Sequence, residues 1–220
     1  PTDLAVPPTL LLDADTVVPV AGTSKINNWV DKIASHSLST ANDLTRPTLI
    51  PNELNSHNVA RFDGTNVLFN TTTLTSKYKD TKFTWSIVVF KKDPLDTGGT
   101  RRFLFKADTP QIDEQRYGLA VNGTTTINKF DCGGRITDGS SGWGAKSSKT
   151  LTSEWTVILA TLDYQSGIGT IYTNGVKEEV SIPIGTISNT NSAAVSLGGH
   201  TQPSNYASYG FRGDLATLVT

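Results

Sequence analysis

The feature that most constrains this chain is its punctuation. Short runs of β-branched and aromatic residues recur along nearly the whole length, each bounded by Gly, Asn, Asp, Ser or Pro, which is the pattern of many short strands. The clearest runs are Phe83 to Phe90, Trp155 to Leu162, Gly169 to Thr173 and Leu215 to Val219. Weaker ones are Thr9 to Leu12, Val59 to Phe62, Arg102 to Phe105, Tyr117 to Val121, Thr124 to Phe130, Val176 to Ile182 and Ala194 to Leu197. Asn122-Gly123 and Asn174-Gly175 each separate two runs. Because both residues tolerate positive φ, each pair predicts a type I′ hairpin.

The two strongest runs are apolar on both faces. Trp155, Val157 and Leu159 fall on one side and Ile158, Ala160 and Leu162 on the other, which predicts central strands with one face in the core and the other covered as well. Trp29, Trp85 and Trp155 are accordingly expected in the core. Ile26, Trp29, Val30 and Ile33 have helical spacing, so Ser24 to Ser35 is read as a short helix or an irregular loop, with Asn27 and Asn28 weakening the helix. Residues 1–8 read as an extended, Pro-rich leader, and residues 9–220 as one domain.

Composition agrees with an all-β chain. Hydrophobic residues are 36% of 220, and the abundance of Thr, Ser, Asn and Gly suits strands and polar turns better than a helical bundle. A net charge of -1 with no basic stripe argues against nucleic acid. The single cysteine, Cys132, rules out an intrachain disulfide. No apolar run approaches the roughly 18–20 residues of a membrane span, and this sequence opens with no signal-peptide pattern.

Ordered fragments then carry a resemblance. Leu11-Leu12-Asp13-Ala14, Trp29-Val30-Asp31-Lys32, Arg46-Pro47-Thr48, Arg61-Phe62-Asp63-Gly64, Trp155 to Asp163, Tyr172-Thr173-Asn174-Gly175, Leu197-Gly198-Gly199 and Phe211 to Ala216 follow one another as in the concanavalin A-like, laminin-G-like domains of bacterial and phage type. The chain departs where Leu10 and Leu11 replace a frequent Trp and where Thr217 replaces an acid. The resemblance implies a two-sheet antiparallel jelly-roll sandwich and roles in binding sugars or proteins or in packing within assemblies. It does not imply a single function, since the fold hosts many.

Catalytic patterns are weak. A retaining glycosidase needs two carboxyl groups about 5 Å apart, which on a strand means acids at i and i+2 or i+4. Glu178 and Glu179 are adjacent and must face opposite sides, while Glu53, Glu114 and Glu154 are isolated. His36, His57 and His200 lie in no nucleophile or zinc pattern and read as surface-loop histidines. Calcium is the cofactor the resemblance allows; Asp108, Asp113 and Asp138 are oxygen donors in expected loops, although ordinary turn aspartates are the simpler reading. Arg212-Gly213-Asp214 is an integrin-type tripeptide that overlaps the closing fragment and reads as structural. Asn70-Thr71-Thr72 and Asn122-Gly123-Thr124 fit the glycosylation pattern without a signal peptide to use it.

The segment Asp131 to Ser148 is the best binding candidate. Trp143 sits among glycines with no periodic reason to be core, beside Arg135 and Asp138, and an aromatic face ringed by hydrogen-bonding side chains suits a sugar or a protein interface. A second aromatic loop, His200 to Tyr209 with Tyr206, could line the same rim. The expectation is a non-enzymatic recognition module for a carbohydrate or host receptor on a virion or other particle surface, with Trp143, Asp138, Arg135, Tyr206 and His200 as ligand-binding residues. The alternatives are a structural decoration or adaptor domain of a phage capsid or tail, and a glycoside hydrolase. Expected partners are a glycan, a cell-surface receptor or other proteins of an assembly, with oligomerisation open.

Overall fold

Strands this short are stable only when their backbones pair and their apolar faces meet another layer. A computed structural model describes residues 7–70, 83–96, 102–107, 117–121, 127–134, 144–185, 195–200 and 209–220. Its strands, numbered in chain order, form two eight-stranded antiparallel sheets. Sheet A runs β14 (Val176–Ser181), β13 (Ile168–Thr173), β12 (Trp155–Asp163), β7 (Phe83–Lys92), β16 (Arg212–Val219), β5 (His57–Asp63), β4 (Thr48–Leu54), with β1 (Leu11–Asp13) also on β16. Sheet B runs β11 (Ala145–Lys146), β10 (Phe130–Gly133), β9 (Tyr117–Val121), β8 (Arg102–Ala107), β15 (Val195–Leu197), β6 (Leu68–Asn70), β3 (Ser37–Ser39), β2 (Asn28–Val30). The result is the expected two-sheet antiparallel jelly-roll sandwich.

β16 can serve three neighbours because it carries a bulge at Ala216. Arg212 to Leu215 pair with β5, Thr217 to Val219 pair with β1, and the other edge pairs with β7 on both sides of the bulge. The core lies between the sheets. Phe90 of β7 meets Phe130 of β10 across the gap, with ring centroids 6.4 Å apart, and packs edge-on against Phe211 at 6.1 Å. Phe211 in turn meets Phe62 at 6.1 Å.

The Asn174-Gly175 hairpin forms as expected, with Thr173 opposite Val176 and φ of 48° and 83° at the two turn residues. Asn122-Gly123 lies outside the described residues. Phe130 pairs with Val121, and Ile127 to Lys129, expected as strand, are outside any strand. Ser24 to Ser35 holds no helix. Asn28 to Val30 become β2, with Trp29 fully buried while Val30 and Ile33 stay exposed. Asp31 then accepts from the N–H groups of Leu11, Ile33 and Ala34 at 2.7, 3.1 and 2.8 Å. A buried carboxylate satisfied by three backbone donors fixes an irregular turn that spacing alone reads as helical.

The outward faces differ from expectation too. In β7 and β12 the inward positions are buried, but Trp85, Ile87, Val89, Trp155, Leu159 and Thr161 on the outer face are half-buried, and Val157 is 46% exposed. Trp29 is a core residue; Trp85 and Trp155 are not, because strand alternation sends them to the outer face of sheet A. In sheet B it is the strands β8, β9, β10 and β15 that are buried on both sides. Phe103, Lys106, Ala120, Asp131 and Ser196 face away from the core, yet each is at most 3% exposed.

The fragments that carried the resemblance touch one another. A Cβ on Gly198, whose φ is +83°, would lie 2.1 Å from the Phe62 ring, so the Leu197-Gly198-Gly199 turn closes directly on the Arg61-Phe62 strand. Gly198→Ala is expected to combine left-handed strain with overpacking of a buried ring and to lower stability by roughly 3 kcal/mol or more. Urea denaturation checks this, and a change below about 1 kcal/mol would show that the ring can move aside.

Candidate functional site

Of the residues expected to bind ligand, Arg135, Asp138, Trp143 and Tyr206 lie outside the described residues, as do Asp108 and Asp113. The stems of their loops are described. Gly144 packs so closely on β10 that a Cβ there would sit 2.3 Å from the Cys132 carbonyl. Gly133 pairs with Gly118, at the end of sheet B where Val195 enters beside Ala107. His200 follows Leu197 at the opposite end. The two loop stems therefore do not share a rim.

His200 is not a surface-loop residue either. It is fully buried, with its ring 5.9 Å from that of Tyr209. Burial, aided by the nearby Lys106 ammonium, pushes its pKa down to about 4, so it is neutral at physiological pH and supports the turn rather than meeting a ligand from solvent. His57 is the exposed histidine. Its Nδ1 lies 2.5 Å from an Asp15 carboxylate oxygen, and that hydrogen bond raises its pKa above the usual value.

The accessible polar geometry is on sheet A. Strand register places Trp155, Lys91, Asp214 and Arg61 side by side in one outward row across β12, β7, β16 and β5. Asp214 is 4% exposed and takes both oxygens of its carboxylate to Arg61, from Nε at 2.6 Å and Nη2 at 2.9 Å. Lys91 Nζ donates to Glu53 Oε1 at 2.9 Å, stands 3.7 Å from Asp214 and lies 5.5 Å over the Trp155 ring. Glu53 comes from the end of β4, which breaks register after Ile50 and reaches over the outer face. Lys91 holds the Glu53 carboxyl below the usual carboxylate range, and Asp214 raises the Arg61 guanidinium. Beside this row opens a cleft of about 280 Å³ lined by Arg61, Lys91, Asp93, Pro94 and Asp214 among others.

Glu53 and Asp214 both approach a single ammonium. The Glu53 carboxyl, with its pKa lowered, is ionised at neutral pH and has no proton to give as a general acid. The arrangement can donate and accept hydrogen bonds side by side, next to an aromatic ring. No simple sequence period announces it, because its members come from residues 53, 61, 91, 155 and 214; the fragments of Arg61, Trp155 and Asp214 stand out as motifs, while Glu53 and Lys91 carry no such signal. Arg212-Gly213-Asp214 is part of this row, with its Asp held by Arg61 within the strand. Glu178 and Glu179 do point to opposite faces, Glu178 to Ser147 and Glu179 to Lys177. Among the described residues no group of three His, Cys, Asp or Glu is placed to hold a metal, and no helix is long and apolar enough to cross a membrane.

No protein-family model matches the sequence, and no curated protein is significantly similar to it. Solved structures share the fold. Domain 4 of AbnA, an extracellular GH43 arabinanase of Geobacillus stearothermophilus solved with arabinotriose, aligns over 96% of this chain and 90% of its own, at 15% identity and a TM-score of 0.59. The sialidase of Trypanosoma rangeli aligns over 96% of this chain with a TM-score of 0.58 and 13% identity, the chain spanning 29% of that enzyme. The CBM40 module of the Ruminococcus gnavus IT-sialidase aligns over 79% of this chain and 88% of its own, at 14% identity and a TM-score of 0.51. At such identities the likeness establishes the β-sandwich fold.

The His200 environment makes stability depend on pH with a definite sign. A histidine whose folded pKa is depressed contributes stability that is present above its unfolded pKa and lost as pH falls. Between pH 6.5 and 5 the unfolding free energy is expected to fall by about 1.5 kcal/mol, and His200→Gln should flatten that slope. His57 acts oppositely, its share being complete below pH 6.5 and fading above. Urea titrations across this window check the slope, and an unchanged slope in the variant would remove His200 as its source.

Proposed function

We propose that this domain is a non-catalytic carbohydrate-recognition module, displayed on a larger protein or on a particle such as a virion. The observation that carries the reading is the outward row of sheet A, where Trp155 stands beside the alternating donors and acceptors Lys91, Asp214, Arg61 and Glu53, of which Lys91, Asp214 and Arg61 line a cleft of about 280 Å³. A pyranose offers an apolar face for an aromatic ring and hydroxyls that both donate and accept, so this mixture matches its chemistry. The neighbours give support: one was solved with arabinotriose, another is a carbohydrate-binding module, and the chain matches a minor part of a sialidase. The held-down Glu53 carboxyl favours binding over glycoside hydrolysis.

A second reading has its own observation. Ile87, Val89, Val157 and Leu159 form an aliphatic centre on the same face, and an apolar patch of this kind also suits docking within an assembly.

Glycan-array screening followed by calorimetry tests the proposal. Trp155→Ala should weaken binding about tenfold, or about 1.4 kcal/mol, while leaving the fold intact because the ring is half-buried on the outer face. Loss confined to Trp143→Ala would move the site to the 135–143 loop. A folded domain that binds no glycan would transfer the assignment to assembly.

A further inference from the structure

The charges around the cleft point to the class of sugar. Each outward cation has an acid beside it: Arg61 on Asp214 at 2.6 Å, Lys91 on Glu53 at 2.9 Å and Arg212 on Asp93 at 3.7 Å. Lys92 points to the other side of its strand and donates to the Asp93 carbonyl at 3.2 Å. Around the cleft these charges are thus matched in pairs, and Asp63, opposite Arg212 in the same register, adds a further acid to the outward face. The matching leaves spare hydrogen-bonding capacity on both signs. Asp214 occupies Arg61 through Nε and Nη2, leaving Nη1 to donate, and Arg61 remains 46% exposed. Lys91 takes Glu53 through Oε1, leaving Oε2 to accept. Asp93 uses Oδ1 to accept from the Leu95 N–H at 2.8 Å, and its other oxygen is 3.7 Å from Arg212.

We propose that the cleft binds the adjacent hydroxyls of a neutral sugar, Arg61 donating to one oxygen while Glu53 and Asp93 accept from the hydroxyl protons, and that it discriminates against acidic sugars. This deepens the carbohydrate reading and rests on it. The discrimination has a direct cause. A sugar carboxylate seated on Arg61 would lie among Glu53, Asp93 and Asp214, and no cation in the outward row lacks a counter-charge to offer it. A diol meets donors and acceptors in alternation and brings no charge to desolvate. Trp155, one strand beyond Lys91, stands where the next ring of a chain would stack.

Lactose and 3′-sialyllactose form a matched pair for the test, since the second adds one carboxylate-bearing sugar; arabinotriose is a further neutral probe. Backbone amide shifts of the domain would be followed by NMR during titration with each. The expected result is that a neutral probe perturbs Lys91, Asp93, Gly213 and Asp214, that its affinity falls about tenfold in Glu53→Gln and in Asp93→Asn, and that 3′-sialyllactose binds there no more tightly than lactose. Both variants are isosteric and partly exposed, so they should keep the fold; Arg61→Lys, which retains the charge and loses the planar fork, should weaken binding as well. Tighter, salt-sensitive binding of 3′-sialyllactose at the cleft would overturn the preference for neutral sugars. Neutral probes that bind both acid variants with full affinity, or that perturb other residues, would overturn the cleft as the site and leave the carbohydrate reading standing. A domain that binds nothing on a full glycan array would remove both.

Discussion

The side-on pair between Arg61 and Asp214 holds this structure in register. It spans 153 residues of sequence and joins β5 to β16 in sheet A. Because Asp214 is almost completely buried, removing Arg61 would leave a carboxylate in a low-dielectric setting with only Lys91 near it, a loss expected to exceed anything the exposed pairs contribute. β16 is also the strand on which β7, β5 and β1 all depend. Sheet A can be completed only when β16 is in place between β7 and β5. Pairings so distant in sequence make folding slow relative to local structures of the same stability, and the Arg61–Asp214 pair rewards the correct register over a slip by one residue, which would send Asp214 to the core face.

The same register explains why function concentrates on one side. In sheet B the strands β8, β9, β10 and β15 are buried on their outer face as well as their inner one, Lys106 and Asp131 included, and His200 beyond β15 is buried too. Burying such groups is tolerable only when they are held by partners or kept neutral, and His200 takes the second course. Sheet A has the opposite character. Its outer face is half exposed, and its charges are matched with each other rather than with a cover. A surface that neutralises itself costs little to leave open and little to desolvate under an uncharged ligand.

The sequence made the fold class legible because turn chemistry and alternation are local properties. Asn174-Gly175 dictates its hairpin through φ alone. The fragments of Arg61 and Asp214, far apart in sequence, meet in the fold as a bidentate pair. What alternation could not supply is direction. When both faces of a strand are apolar, as in β7 and β12, period two separates Trp155 from Ile158 without saying which side meets the other sheet, and apolarity alone places Trp85 and Trp155 in the core. A turn-competent pair such as Asn122-Gly123 permits a tight hairpin without setting the register around it, and the register found, Val121 opposite Phe130, places both of these apolar residues in the core. The Ile26 to Ile33 spacing looked helical because nothing local reveals that Asp31 will collect three backbone donors from two parts of the chain. The candidate site was the least legible part, since its Glu, Lys and Trp are brought together only by strand order.

The edges of sheet A bear on the open face. β14 is an edge strand, and such an edge invites pairing with another chain. Its sequence works against that. Pairing the whole of Val176 to Ser181 antiparallel with a copy of itself would set Glu178 opposite Glu179, like charge against like. Glu178 is in addition drawn to the seam of the sandwich, where it accepts from the Ser147 hydroxyl at 2.6 Å and from the Ser148 N–H at 3.0 Å. The edge is thus charged along its length and fastened to the opposite sheet. With that edge protected, the surface of sheet A best suited to bind something is its face, and the part of that face offering shape, an aromatic ring and matched donors and acceptors is the cleft beside Trp155.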